Sequence, residues 1–266
     1  MLPLSGESLP STSAELVAAI ERGLAELKLT ARSVRADGGA FPAIGSLTLD
    51  LTDARATREL RAPALKLVEG HGGVTVGAFQ LRANPLHFEG TPFEILLNAT
   101  DAAFVFAGAP EAGALMLKNA KDGDISLAAA TKDLEALLHE LVVQGAGKQG
   151  VNVKKTTLEL TAQGPRRLLF RVEVTAKMFL MTAAMAVSGQ LDVDDELNAR
   201  FSNLTLGGDG MITKMAGGFI RPKLEQLEKR TIPLLAFSLG DLRLRDVEVA
   251  TGDKLTIRGS FGSGAD

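Results

Sequence analysis

The chain has 266 residues, 45% of them hydrophobic and 23% charged, with a net charge of -3. These values describe an ordinary folded protein with room for a substantial core, and they give no support to nucleic-acid binding, which usually shows a basic domain. Aromatic residues make up only 5%, all Phe, so stacking platforms for bases or sugars are scarce; the absence of Cys removes disulfides, thiolate nucleophiles and Cys-based metal sites.

The first residues, MLPLSGESLPSTSAELVAAIERG, show no basic stretch followed by an apolar core. The expectation is therefore no signal peptide and a cytoplasmic location, with a periplasmic one as the alternative if the N-terminus has been trimmed. Residues 1–12 read as a flexible lead. Thr12 followed by Glu15 fits a capping box, and Leu16, Ile20, Leu24 and Leu27 recur at helical spacing. From Leu47 the period changes to two. Short alternations at 47–51, 65–68, 74–81, 86–88, 93–99 and 103–106, punctuated by Gly, Pro and Asn, predict an antiparallel meander.

Near Thr131 the helical period returns with Leu134, Leu137, Leu138, Leu141 and Val142, and Gly145 predicts its end. Strand patterns cover 151–160, 167–193 and 197–206. A last helix is predicted after GGDG, with Met211, Met215, Phe219 and Leu227 on one face, Ile212, Ile220 and Leu224 beside them, and Pro222 bending it or starting a new segment. Strands at 242–249 and 255–261 close the chain, and 261–266 read as a flexible tail. This order is α+β, without the strict alternation of a parallel doubly wound fold. No linker stands out, so one domain over 13–260 is expected.

The most informative stretch is LLFRVEVTAKMFLMTAAMAVSG, residues 168–189. Phe170, Val172, Val174 and Met178 are even-numbered; Met181, Met185, Val187, Leu191 and Val193 are odd. No Gly, Pro, Asn or Asp lies between Pro165 and Gly189 to mark a turn. One long, bent strand with a β-bulge near Phe179 keeps both sets on one face and predicts a curled sheet. A similar slip separates Leu197, Ala199 and Phe201 from Leu204 and Leu206. Most of the seven methionines fall on this stretch and the last helix, as a wall that adapts to flexible apolar partners or simply as packing.

Catalytic motifs fail on context. GAGKQG, residues 145–150, matches a dinucleotide-binding glycine pattern but ends a helix instead of opening one, so a helix-stop loop is expected. His71, His87 and His139 are widely spaced, and Val143 stands where a zinc-protease helix would need a second His. Asp122, Asp124, Asp194 and Asp195 read as solvated turn residues. The mixed-sign run 221–230 suits a solvated helix face, with weak membrane-surface contact as a second reading. The expectation is a non-enzyme with no cofactor and no metal.

The order of helix, meander, the helix-forming ATKDLEALLHEL, the strands LLFRVEVTAKMFLMTAAMAVSGQLDV and NARFSNLTL, and the segment GGDGMITKMAGGFIRPKLEQLEKRTIPL resembles the bacterial LmeA-like phospholipid-binding domain. More loosely it resembles the tubular lipid-binding (TULIP) superfamily. The resemblance implies a long, curled antiparallel β-sheet wrapped around amphipathic helices, and non-enzymatic binding or transfer of a phospholipid or other long-chain apolar molecule. It implies a lipid or fatty-acyl ligand as partner, with transient contact to a membrane surface as a peripheral protein. The tail-contacting residues would be Phe170, Val172, Val174, Met178, Met181, Met185 and Val187, with Met211, Met215 and Phe219 opposite. At roughly 0.8 kcal/mol per buried methylene, a long acyl chain would gross about 10 kcal/mol before ordering costs. The contrasting expectation is a structural or interaction protein with a solid core and no ligand.

Overall fold

A computed structural model describes residues 2–57, 72–109, 111, 113–147, 151–178, 181–208, 211–234 and 244–263. The fold is mixed α+β. Strands predominate, and among the described residues three helices accompany them: α1 (Ser13–Glu26), α2 (Thr131–Gly147) and α3 (Met211–Glu228). The chain divides into two compact units, one of residues 1–128, 235–246 and 258–266, the other of 129–234 and 247–257.

The first unit contains β1 (Leu2–Leu4), β2 (Ser33–Ala40), β3 (Ala43–Asp50), β4 (Arg55–Ala56), β5 (Gly73–Phe88), β6 (Thr91–Ala107), β7 (Gly113–Asn119) and most of β8 (Asp122–Ala130). Neighbouring strands run β8, β6, β5, β3, β2, with β7 also on β6 and β1 on β7. Alternation places Leu47, Leu49, Val74, Val76, Phe79 and Leu81 in the core, where helical spacing on α1 adds Leu16, Ile20 and Leu24. The predicted cap at the head of α1 is present but shared between two residues. Thr12 Oγ1 accepts from the Glu15 amide at 3.1 Å, while the Glu15 carboxylate accepts from the Ser11 amide at 2.7 Å and the Ser11 hydroxyl at 2.8 Å.

Three expectations for this unit change. The N-terminus is not a free lead: Leu2 and Leu4 are buried and β1 pairs antiparallel with β7, because two leucines flanking a proline have a hydrophobic edge to cover. The meander is not wholly antiparallel, since β3 and β4 both pair with β5 in parallel. The predicted breaks near residues 82–85 and 100–102 fall inside long strands. β5 absorbs Pro85, which has no amide to donate, at a register shift between Ala83 and Leu86, and β6 absorbs Asp101 at φ 47°. The predicted strand at 65–68 and His71 lie outside the described residues.

The second unit is built on a curled, antiparallel, five-stranded sheet in the order β13-β12-β11-β10-β9. Its strands are β9 (Asn152–Ala162), β10 (Arg167–Met178), β11 (Met181–Val193), β12 (Asn198–Gly207) and β13 (Thr231–Pro233). Helix α2 packs on β9, and α3 packs on β12 and β11. The chain ends with β14 (Arg245–Ala250) and β15 (Lys254–Phe261). Residues at the tip of that hairpin belong to the second unit: Thr131, heading α2, donates its amide to Asp253 O at 2.9 Å and its hydroxyl to Gly252 O at 2.9 Å. Phe261, expected in a flexible tail, is 1% exposed, its aromatic ring lying against Gly123. Three of the four boundaries between the units pass through strands, β8, β14 and β15, and the fourth follows β13. At those three the chain therefore carries no Gly- or Pro-rich linker.

Candidate functional site

The stretch 168–189 is a hairpin, not a single bulged strand. β10 and β11 pair along their whole length, from Arg167 opposite Asp192 to Met178 opposite Met181. The phase change near residue 179 is thus a reversal of chain direction. Partners in this ladder always join an even number to an odd one: Phe170 with Gly189, Val172 with Val187, Val174 with Met185. Directly opposed residues share a face, so the even set of β10 and the odd set of β11 do line one surface. The face assignment survives although the connection differs.

The second predicted slip is a true bulge. Ser188 faces Thr205 and Gln190 faces Ser202, leaving Asn203 and Leu204 opposite Gly189, with Asn203 at φ 54°. β9 carries another irregularity at Lys154, opposite the Thr175–Ala176 step. Both bend the sheet.

Burial along the shared face is graded. Leu168, Ala176, Leu191 and Val193 are buried, whereas Phe170, Val172, Val174, Met185 and Val187 are only half-buried. Phe170 meets Phe201 edge-to-face at 5.6 Å between ring centres. The side chains of Met178, Met181, Met211, Met215 and Phe219 lie outside the described part of the structure; Met178 and Met181 close the β10–β11 ladder, and the other three stand on α3.

Each helix is fastened to the sheet by a carboxylate. Glu135 of α2 accepts the Leu158 amide of β9 at 2.8 Å, and Glu228 of α3 accepts the Leu204 amide of β12 at 2.8 Å. Charged acceptors make the stronger class of hydrogen bond, and they satisfy strand amides that the ladder leaves unpaired. One turn along α2, His139 Nδ1 lies 3.0 Å from Thr156 Oγ1. Thr156 is the ladder partner of Val174. On α3, Gly217 brings the helix backbone against Leu206, the ladder partner of Val187. Both helices therefore lie on the face that carries Val172, Val174, Met185 and Val187. None of the side chains on α2 is buried; its stripe of Leu134, Leu137, Leu138, Leu141 and Val142 is half-buried throughout. The result is a floor of aliphatic side chains with a helix along each side.

The opposite face is polar. A shallow depression of about 360 Å³ there is lined by Glu159, Thr161, Leu169, Arg171, Ser188 and Gln190, among others. Arg171 pairs with Glu173 at 3.6 Å across solvent-exposed side chains. At the β10 start and β11 end, charges are matched: Arg167 meets Asp192 at 2.9 Å, Arg200 meets Asp194 at 3.7 Å, and Arg166 meets Asp195. Burial alone would raise the Asp192 carboxyl, but hydrogen bonds from Gln190 and Arg167 outweigh it and hold the group below the ordinary range. Asp194 is likewise lowered, burial being outweighed by the amides of Asn198 and Glu196. Asp194 thus takes the expected turn role, accepting both amides at 2.9 Å.

The remaining sequence candidates stay apart. The glycine motif ends a helix and leads toward a strand, as expected, but α2 runs two residues past its predicted end, through Gly145 to Gly147, before β9 starts at Asn152; residues 148–150 lie outside the described residues. His87 is half-buried on β5, far in sequence from His139 on α2, and no group of three or more His, Asp or Glu able to hold a metal occurs among the described residues. No described helix is long and apolar enough to cross a membrane. Sequence reasoning missed Glu135, Glu228 and Thr156. A carboxylate on the polar side of a helix looks solvated until the strand edge it reaches is known. Comparison of the chain with protein-family models, with curated proteins and with solved structures found no match.

Proposed function

We propose that the second unit binds the hydrocarbon part of a lipid, without catalysis, along the aliphatic floor between α2 and α3. One observation carries this reading. Val172, Val174, Met185 and Val187 form a continuous row on β10 and β11 that is half-buried, while the helices beside it are held at the sheet's flanks by Glu135 and Glu228. An acyl chain laid on that row gains contact area without displacing a packed core, and the four aliphatic side chains discriminate weakly among apolar ligands. A tail held there would give the curled sheet and its two helices the role such elements have in a TULIP-like arrangement. Transfer between membranes is the natural extension for a protein of this kind.

Native mass spectrometry of freshly purified protein tests the reading. Added masses that disappear on organic extraction are the expected result; an unloaded mass that stays unloaded after incubation with phospholipid overturns it. The contrasting reading, a solid interaction scaffold, is favoured by the first unit, where Leu16, Ile20, Leu47 and Leu49 are all at 0% exposure.

A further inference from the structure

The two ends of the second unit's sheet differ in charge. Where β10 begins and β11 ends, arginines and aspartates neutralise one another. Where β10 ends and β11 begins, Lys177 stands opposite Thr182 on one side and Asn152 on the other, Lys155 stands opposite Thr175, and Lys154 occupies the β9 irregularity. All three lysines are exposed, and none forms an ion pair among the described residues. The described segments that meet there, 152–158, 174–178 and 181–191, contain no Asp or Glu. The nearest acid up the strand from Lys177 is Glu173, roughly 13 Å away at about 3.3 Å per residue.

We infer that this lysine-bearing end of the β10–β11 hairpin docks on an anionic lipid bilayer, so that the aliphatic floor, which runs along the same two strands, opens toward the membrane that supplies or receives its ligand. The inference rests on the lipid-binding reading for its purpose, but not for its test. Three exposed cations without an ion pair among the described residues suit a planar, negatively charged surface, and the floor residues Val174 and Met185 lie within four residues of Lys177 or Thr182 along the same strands. The mixed-sign run on α3, Arg221 to Arg230, is a weaker match because Glu225 and Glu228 are interspersed with its cations.

Sedimentation with phosphatidylcholine vesicles, with and without a quarter of phosphatidylglycerol, tests this on the full chain. Binding should require the anionic lipid and fade at 0.5 M salt on the order expected for screened surface charges. The triple variant Lys154→Gln, Lys155→Gln, Lys177→Gln should bind about a hundredfold more weakly, at about fivefold per charge. The control triple Arg221→Gln, Lys223→Gln, Lys229→Gln, of equal charge change, should bind like the parent. Equal binding to neutral vesicles, equal losses in both triples, or lysine-dependent binding to a DNA duplex with none to vesicles overturns the inference. Native mass spectrometry keeps the two proposals separate. Lipid retained by a protein that ignores vesicles refutes only the docking, and vesicle binding by a protein that retains no lipid refutes only the ligand site.

Discussion

Phe170 stands directly opposite Gly189 in the β10–β11 ladder, and its ring covers the space a side chain would take there. A Cβ at Gly189 would lie 3.0 Å from Phe170 Cζ and 2.5 Å from Leu204 Cδ2. Both are ends of side chains that can yield. Gly189→Ala gains the usual strand benefit of about 0.5–1 kcal/mol over glycine but must overpack this contact at about 1–3 kcal/mol, so a modest net loss is expected. Thermal unfolding followed by circular dichroism measures it; unchanged or higher stability would show the contact to be soft.

Gly23 presents the opposite case. It lies in the last turn of α1, and alanine within a helix normally stabilises by up to about 1 kcal/mol. A Cβ there would sit 2.6 Å from the carbonyl carbon and oxygen of Pro3, which are backbone atoms of β1. Gly23→Ala should therefore destabilise the first unit by more than Gly189→Ala affects the second. Hydrogen exchange should show the β1–β7 ladder, Leu2 opposite Leu115, opening first. A stabilised protein with a protected β1 would contradict the close approach.

Asp50 is buried at 2% exposure and accepts from the Thr52 amide at 3.0 Å and from Arg82 at 2.7 Å. Burial alone would raise its pKa, but the hydrogen bonds from Thr52 and Arg82 and the guanidinium's charge outweigh it, leaving the carboxyl below its ordinary value. A carboxyl lowered on folding contributes stability that is fully present above its unfolded pKa, about 3.9, and is lost as pH falls through the folded value. The first unit should lose stability as pH falls below about 4. Asp50→Asn should flatten that dependence while lowering stability at neutral pH by roughly 1–3 kcal/mol. Exchange at β3 and β5 amides isolates this from Asp192 and Asp194, which act in the second unit.

Glu135 holds α2 to β9 through the Leu158 amide. Glu135→Ala leaves that part-buried donor without its acceptor, at about 1–3 kcal/mol, whereas Glu135→Gln keeps a side-chain oxygen and should restore most of the loss. Faster exchange at Leu158 in the alanine variant alone is the expected signature. Lipid retention should fall in parallel, since α2 has no buried side chain to hold it otherwise.

Met185 is half-buried on the proposed floor, whereas Leu168 on the same face is 3% exposed. Met185→Lys should abolish retained lipid with the melting curve close to the parent's, because a lysine stem can lie on the floor with its amine in water. Leu168→Ala should instead cost about 2–5 kcal/mol. Comparable unfolding in both variants would identify the floor as ordinary core.

Much of the local structure was readable from residues alone. The helix stripe of Leu16, Ile20 and Leu24, the stripe from Leu134 to Val142, and the phase slip between Phe201 and Leu204 all follow from side-chain period, which backbone geometry imposes within a few residues. The common face of Val172, Val174, Met185 and Val187 was readable for the same reason. What joins them was not. A bulge and a two-residue reversal both convert even phase to odd, so the hydrophobic pattern is identical for a long strand and a hairpin.

The one-dimensional pattern thus determined which side chains of this protein share a surface. Only tertiary structure decided what that surface meets. The parallel approach of β3 to β5, the burial of Leu2 and Leu4, and the reach of Glu135 and Glu228 to strand amides depend on contacts between residues distant in the chain. Periodicity carries no record of a partner's identity, because burial against any apolar neighbour satisfies it equally.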